Sequence, residues 1–118
     1  MLTGLRRALR VAFGYRFFDI TEDLPDRVTV RSGSTTTSFN RTSLEVTQDG
    51  RHVGTFGIIE KIEVHQPRNQ DGPMNWFITV QLRGTRQIEV GKVTDKTEAS
   101  IVAARISGVT GRPVEVFP

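Results

Sequence analysis

The chain has 118 residues, no cysteine and a formal net charge of +3 at pH 7. This length is typical of one domain that buries roughly two-thirds of its unfolded surface, and without cysteine there are no disulfides, thiolate metal sites or thiol nucleophiles. No apolar run approaches the ~20 residues of a membrane-spanning helix, and arginines interrupt the N-terminal segment too often for a signal peptide. We therefore expect one cytoplasmic domain.

The first 16 residues carry the most uneven charge. They contain four arginines and no acid, so this segment carries +4 and the remainder of the chain carries −1. Apolar residues recur there at helical spacing on one face, with arginines on the adjoining face. We predict a basic amphipathic helix and its lead-in over residues 1–18, with Gly14 as the helix stop. The residues expected to bind a membrane or a partner are Leu5, Arg6, Arg7, Leu9, Arg10 and Phe13.

Three interpretations of this helix stay open. In the first, its apolar face enters the headgroup region of an anionic membrane, at the inner face of the cytoplasmic membrane. In the second, the same face packs on its own domain, on a protein partner or on a second copy. In the third, the arginines bind nucleic acid, with Trp76, Phe77 or Tyr15 as stacking surfaces. The nearly neutral remainder of the chain disfavours the third.

The β region is predicted to begin after an acidic connector. Residues 19–26 are rich in acids and contain Pro25, which lacks a backbone donor and favours a connector. Alternating and β-branched residues then predict short strands near 27–31, 35–40 and 43–47.

Two hairpins have the clearest local signals. Asp49 and Gly50 suit the type I′ turn of a two-residue hairpin, and a turn around residues 83–85 separates two further alternating segments. In the second hairpin Trp76 falls on the apolar face, so we expect it in the core. The other predicted pieces are the strands 52–56, 58–65, 76–82 and 88–90 and the loop 66–74.

A single C-terminal helix is predicted over about residues 95–110. Asp95 and Glu98 form a capping-box pattern, and Gly108 or Gly111 can end the helix before Pro113. One apolar stripe implies that the helix lies against the sheet and covers an open end of a small sandwich or barrel. The stripe consists of Ala99, Val102, Ala103, Ile106 and Val109.

The sequence contains no motif that predicts catalysis. No serine has the setting of a nucleophile elbow, and the glycines of residues 54–57 and 108–111 lack the context of a phosphate-binding loop. His52 and His65 lie in predicted neighbouring strands, but their spacing matches no metal motif and solvent-facing histidines are expected. The acids that could complete such a site are Glu45, Glu60 and Glu63. We expect a protein that is not an enzyme, with no cofactor, no metal and no small-molecule substrate.

Residues 44–116, about three-fifths of the chain, carry a pattern that resembles the pleckstrin-homology-like domains of bacterial membrane-associated proteins. The resemblance implies a mainly β domain over residues 19–118. It would be a sandwich or partly open barrel of about seven antiparallel strands with a capping C-terminal helix. It also implies a binding or scaffold function near a membrane. The matching pieces are Leu44-Glu45-Val46 and residues 57–64, 88–91, 98–106 and 111–114.

Overall fold

The computed structural model describes residues 18–66 and 75–117. Within these ranges the chain forms nine strands, a short 3-10 turn (Phe56–Ile58) and one α-helix, α1 (Lys96–Thr110). The strands are β1 (Phe18–Leu24), β2 (Arg27–Ser32), β3 (Thr35–Asn40), β4 (Glu45–Gln48), β5 (Arg51–Thr55), β6 (Ile59–His65), β7 (Trp76–Leu82), β8 (Gln87–Val93) and β9 (Val114–Val116).

The strands form two sheets. Sheet A has the order β1-β2-β3-β4-β5, with every neighbouring pair antiparallel. Sheet B has the order β8-β7-β6-β9, in which β9 runs parallel to β6. Helix α1 contacts strands of both sheets. The predicted fold class, a mainly β sandwich with one C-terminal helix, is therefore confirmed.

Two parts of the strand prediction are wrong. Residues 19–26 are not a connector, because β1 begins at Phe18 and pairs with β2 as an edge strand. An edge strand accommodates charge well, and the Glu22 carboxylate accepts a hydrogen bond from the Thr29 hydroxyl at 2.9 Å. The described residues also contain nine strands rather than about seven, since β1 and the three-residue β9 add to those expected.

The core lies between the two sheets and α1. All five residues of the predicted helix stripe are buried, which confirms the predicted packing face. Trp76 is only half-buried and packs against the edge of the core. The prediction that it lies in the core is therefore only partly correct. The largest completely enclosed apolar side chains are Phe39, Ile62, Ile78, Leu82 and Ile106.

The β4–β5 turn and both ends of α1 form at residues that the sequence predicts. Asp49 and Gly50 have φ angles of 52° and 83°, as a type I′ turn requires. The Asp95 carboxylate accepts from the Thr97 N–H at 3.1 Å and caps the start of α1. The helix ends at Gly111, whose N–H donates to the Ser107 carbonyl at 2.8 Å.

Gly91 lies where the two sheets meet. Among the described glycines, it has the least space for a side chain. A Cβ atom on Gly91 would lie 2.5 Å from Cβ of Ser32 and 3.1 Å from Cε1 of Phe18. The neighbouring Lys92 N–H donates to the Ser32 hydroxyl at 3.3 Å. Sheet A and sheet B therefore meet at this corner with no room for a side chain.

We expect Gly91→Ala to lower the free energy of unfolding by about 1–3 kcal/mol, because the new methyl group overpacks the corner. Urea denaturation followed by the single tryptophan measures the change. Gly57→Ala is the matched control, because a methyl group on Gly57 would have nothing within 4 Å. The control should change stability by no more than about 0.5 kcal/mol. Equal effects of the two substitutions would contradict a tight corner.

Strand β9 is attached to β6 by charge as well as by backbone hydrogen bonds. The Lys61 ammonium lies 2.5 Å from the Glu115 carboxylate and 3.2 Å from that of Glu63. The Phe117 N–H donates to the Val64 carbonyl at 2.9 Å. The hydrogen bonds to Glu115, and then to Glu63, raise the pKa of Lys61 above its ordinary value.

Glu115→Gln should move the pKa of Lys61 back towards its ordinary value. A lysine pKa raised by folding contributes stability that is complete below the pKa of the unfolded chain and is lost as pH rises through the folded pKa. The wild-type chain should therefore lose this contribution only above about pH 10, and the variant should have less of it to lose. NMR titration of the Lys61 side chain checks the pKa. Glu63→Gln should cause a smaller shift, and the reverse order would contradict Glu115 as the main partner.

Candidate functional site

One end of sheet B gathers aromatic rings and lysines. Here β6 ends, β7 begins, β8 ends and α1 begins, and the residues involved are His65, Trp76, Phe77, Lys92 and Lys96. We call this group the aromatic-lysine end. His65, Phe77 and Lys92 are direct cross-strand neighbours in the register of β6, β7 and β8, so they share one face of the sheet.

The rings of His65 and Phe77 stack on each other, and the Lys92 ammonium lies beside the Phe77 ring. The His65 and Phe77 ring centroids are 5.9 Å apart with an interplanar angle of 26°. The Lys92 ammonium lies 6.0 Å from the Phe77 centroid, within the range of a cation–π contact. All three side chains keep some solvent exposure, and Lys92 is the most open of them.

Trp76 presents the same combination on the opposite face of β7. Consecutive strand residues point to opposite faces, so Trp76 faces the core side while Phe77 faces outward. The Lys96 ammonium, at the first residue of α1, lies 5.1 Å from the Trp76 ring centroid. Both faces of the sheet therefore end in an aromatic ring with a lysine beside it.

The N-terminal segment joins the domain next to this end. Phe18, the first described residue, is buried, and its ring packs against Gly91 in β8. Gly91 directly precedes Lys92. Residues 1–16, with their charge of +4, thus lead into the fold only a few residues from the aromatic-lysine end.

A small polar cleft opens at the same corner, between the β2–β3 turn and β8. Its volume is about 270 Å³. The hydroxyls of Ser32 and Thr35 and the ammonium of Lys92 offer donors, whereas Glu89 adds a carboxylate. The lining residues are Ser32, Gly33, Thr35, Glu89, Val90, Gly91 and Lys92. The cleft has room for a small polar group rather than for a large apolar ligand.

The residues predicted to bind a membrane or a partner lie outside the described part of the chain. These residues are Leu5, Arg6, Arg7, Leu9, Arg10 and Phe13, and Tyr15 lies there too. The boundary predicted between a lead-in ending at residue 18 and a domain beginning at 19 stays a prediction. The structure shows where this segment joins the sandwich, which is at Phe18.

The structure separates the two histidines. The sequence placed them in neighbouring strands, which is wrong, because β5 with His52 belongs to sheet A and β6 with His65 to sheet B. His52 is exposed and its Nδ1 lies 3.2 Å from a Glu45 carboxylate oxygen, whereas His65 is half-buried under Phe77. In residues 18–66 and 75–117, no group of three His, Cys, Asp or Glu residues could hold a metal ion.

Two arginines of the β region serve the fold. Arg27 lies 3.5 Å from the Glu22 carboxylate, across the β1–β2 hairpin. Arg41 donates to the carbonyls of Gly108 and Val109 near the end of α1, at 2.8 and 3.3 Å. A cation at this end of a helix meets the free carbonyls there.

Sequence reasoning named Trp76 and Phe77 as candidate stacking surfaces but missed the two lysines. For Lys92, the reason is a β-bulge. From the turn outward, Gln81 pairs with Gln87 and Thr79 with Glu89, but the register then shifts and Ile78 pairs with Gly91. Counting from the turn alone would place Phe77 opposite Gly91, one residue short of Lys92. A local insertion of this kind has no clear signal in a single sequence.

Comparisons of the chain with protein-family models, with curated proteins and with solved structures found no match. None of the helical segments in the described ranges has the length and apolar character needed to cross a bilayer. The functional inference therefore rests on the chain's own geometry, above all on the position of Phe18, which follows the basic segment, close to the aromatic-lysine end.

Proposed function

We propose that this protein is a non-catalytic, pleckstrin-homology-like binding module that associates peripherally with an anionic membrane surface. The basic segment, residues 1–16, supplies an amphipathic helix, and the aromatic-lysine end supplies a second contact. The observation that supports this most is the position of Phe18 against Gly91, beside Lys92. The basic segment therefore joins the domain at the corner that carries Lys92.

The chemistry of both features suits a headgroup layer. Tryptophan and lysine combine an apolar body with a polar tip and are common at the membrane interface. Each lysine or arginine close to an anionic surface contributes about 1 kcal/mol, which salt screens. One weak anchor gives only marginal binding, and stable attachment generally takes two signals. The helix and the aromatic-lysine end provide such a pair.

A second candidate function is a protein-interaction or assembly module that uses the same helix. Exposed apolar side chains away from the aromatic-lysine end favour it: Leu24 is 47% exposed and Ile101 is 54% exposed. Nucleic acid binding has less support, because the chain outside residues 1–16 carries a net charge of −1 and so lacks a broad basic surface.

The first test is co-sedimentation of the full chain with vesicles of phosphatidylcholine alone and with added phosphatidylserine. We expect binding to the anionic vesicles only, weaker at high salt. The triple variant Arg6→Glu, Arg7→Glu, Arg10→Glu should weaken this binding by at least about a hundredfold, since three contributions of about 1 kcal/mol are lost. Undiminished binding by the variant would refute the helix as the membrane contact.

The second test addresses the aromatic-lysine end. Lys92→Glu with Lys96→Glu should weaken binding to the same anionic vesicles by at least about tenfold. The matched control is Arg83→Glu with Arg86→Glu, which makes the same charge change at the opposite, exposed end of the β7–β8 hairpin. The control should bind nearly as the wild type does. Equal losses in both variants would show that net charge, rather than this end of the sheet, determines binding.

A further inference from the structure

A second cleft lies far along β1 from the junction with the basic segment. It separates the tip of the β1–β2 hairpin from α1 and has a volume of about 380 Å³. Buried Val28 and Val109 contribute to its lining, together with exposed Leu24 on the hairpin. The described lining residues are Asp23, Leu24, Pro25, Val28, Ala104, Arg105, Gly108 and Val109. We call it the hairpin cleft.

An exposed apolar side chain on α1 lies next to the hairpin cleft. Ile101 lies one helical turn before Arg105 and Ala104 and is 54% exposed. Ala104 and Gly108 are small, so they leave room for another chain to approach α1 closely. Exposed leucine and isoleucine with small residues between them form a surface that a partner's apolar face can cover.

The hairpin beside this cleft is acidic. Residues 18–26 contain four acids and no base, so they carry −4, directly after a basic segment that carries +4. Of these acids, Glu22, Asp23 and Asp26 lie towards the tip of the hairpin, beside or within the cleft lining. Asp23 is 3.6 Å from the Arg105 side chain, and Asp26 accepts from the Thr42 hydroxyl at 3.3 Å. Glu22 also lies 3.5 Å from Arg27 of β2, and residues 18–32 together contain four acids and two arginines, a net charge of −2.

The N-terminal segment has the length to reach the cleft. From Phe18 to Leu24 the strand covers about 20 Å at ~3.3 Å per residue. A helix over residues 1–13 is also about 20 Å long, and residues 14–17 can turn the chain back across about 13 Å. A helix that doubles back along β1 therefore ends at the hairpin cleft.

From these observations we infer that the hairpin cleft is the docking site for the chain's own N-terminal helix, residues 1–13. Leu2 and Leu5 enter the cleft, while Arg6, Arg7 and Arg10 face the acidic hairpin. The occupant is fixed by matching length, matching apolar surface and opposite charge. Arg105, the cation among the described lining residues, lies 3.6 Å from the Asp23 carboxylate.

Docking of the helix in the cleft competes with its proposed contact with the membrane. The same apolar face cannot lie in the cleft and in the headgroup layer, so an anionic surface has to displace it from the hairpin. Docking itself does not depend on a membrane, whereas this regulatory consequence rests on the proposed function. Intramolecular docking would make membrane binding weaker than the free helix allows, since only the undocked fraction binds.

Paramagnetic broadening tests the docking in the full chain. The protein has no cysteine, so Thr3→Cys gives one site for a spin label. Without vesicles, the label should reduce the amide peak intensities of Leu24, Ala104 and Gly108. Gly50, at the opposite end of sheet A and across its other strands, should keep its intensity. An unbroadened cleft would overturn the inference, as would broadening spread equally over both regions.

Two variants and a mixing experiment sharpen the test. Asp23→Lys with Asp26→Lys should restore the cleft intensities, whereas Glu60→Lys with Glu89→Lys, an equal charge change elsewhere, should not. Isotope-labelled chain without the spin label, mixed with unlabelled spin-labelled chain, should show no broadening. Broadening in that mixture would assign the cleft to a second copy and overturn docking within one chain.

A vesicle arm separates the two proposals. Adding phosphatidylserine-containing vesicles should restore the cleft intensities if the helix leaves the cleft for the membrane. Vesicle binding without any cleft broadening beforehand would refute docking and leave the membrane proposal standing. Cleft broadening without vesicle binding would support docking and refute the membrane proposal.

Discussion

The close contact of the two sheets at Gly91 is the constraint on which the rest of the arrangement depends. Because Gly91 has no side chain, Ser32 and Phe18 can lie directly against β8. This contact fixes the first residue of β1 against sheet B, and with it the point where the basic segment meets the sandwich. It also brings the β2–β3 turn next to Lys92. The packing of the two sheets and the location of the candidate site therefore both depend on the contact at Gly91.

Much of this fold could be predicted because its signals are local. The Asp49-Gly50 turn, the Asp95 cap and the apolar stripe of α1 depend on residues a few positions apart, and each was placed correctly. Strand β1 was missed because its acids and Pro25 are typical of a connector. Only pairing with β2 makes it a strand, and pairing is a non-local property. Likewise, β9 is too short for any alternation to show.

The candidate site was harder to predict than the fold. Trp76 and Phe77 could be named from the sequence, but their lysine partners depend on the bulge in β8 and on where α1 starts relative to β7. A shift of one residue in register changes which side chains are neighbours, and no composition signal marks it. Which lysine lies beside which aromatic ring is therefore determined by the geometry of the sheets rather than by residue spacing along the chain.

Charge along the chain has a different meaning once β1 is a strand. A connector with four acids would be a mobile, solvated segment with no fixed relation to the arginines before it. In the structure, the same residues hold fixed positions along β1 and its turn, which begin directly after Phe17 and end beside the hairpin cleft. The negative charge is then held at a fixed distance from Phe18, comparable with the length of the helix predicted for residues 1–13. In the docking that we propose, this opposite charge attracts residues 1–13 to the domain whenever no stronger anionic surface competes for them.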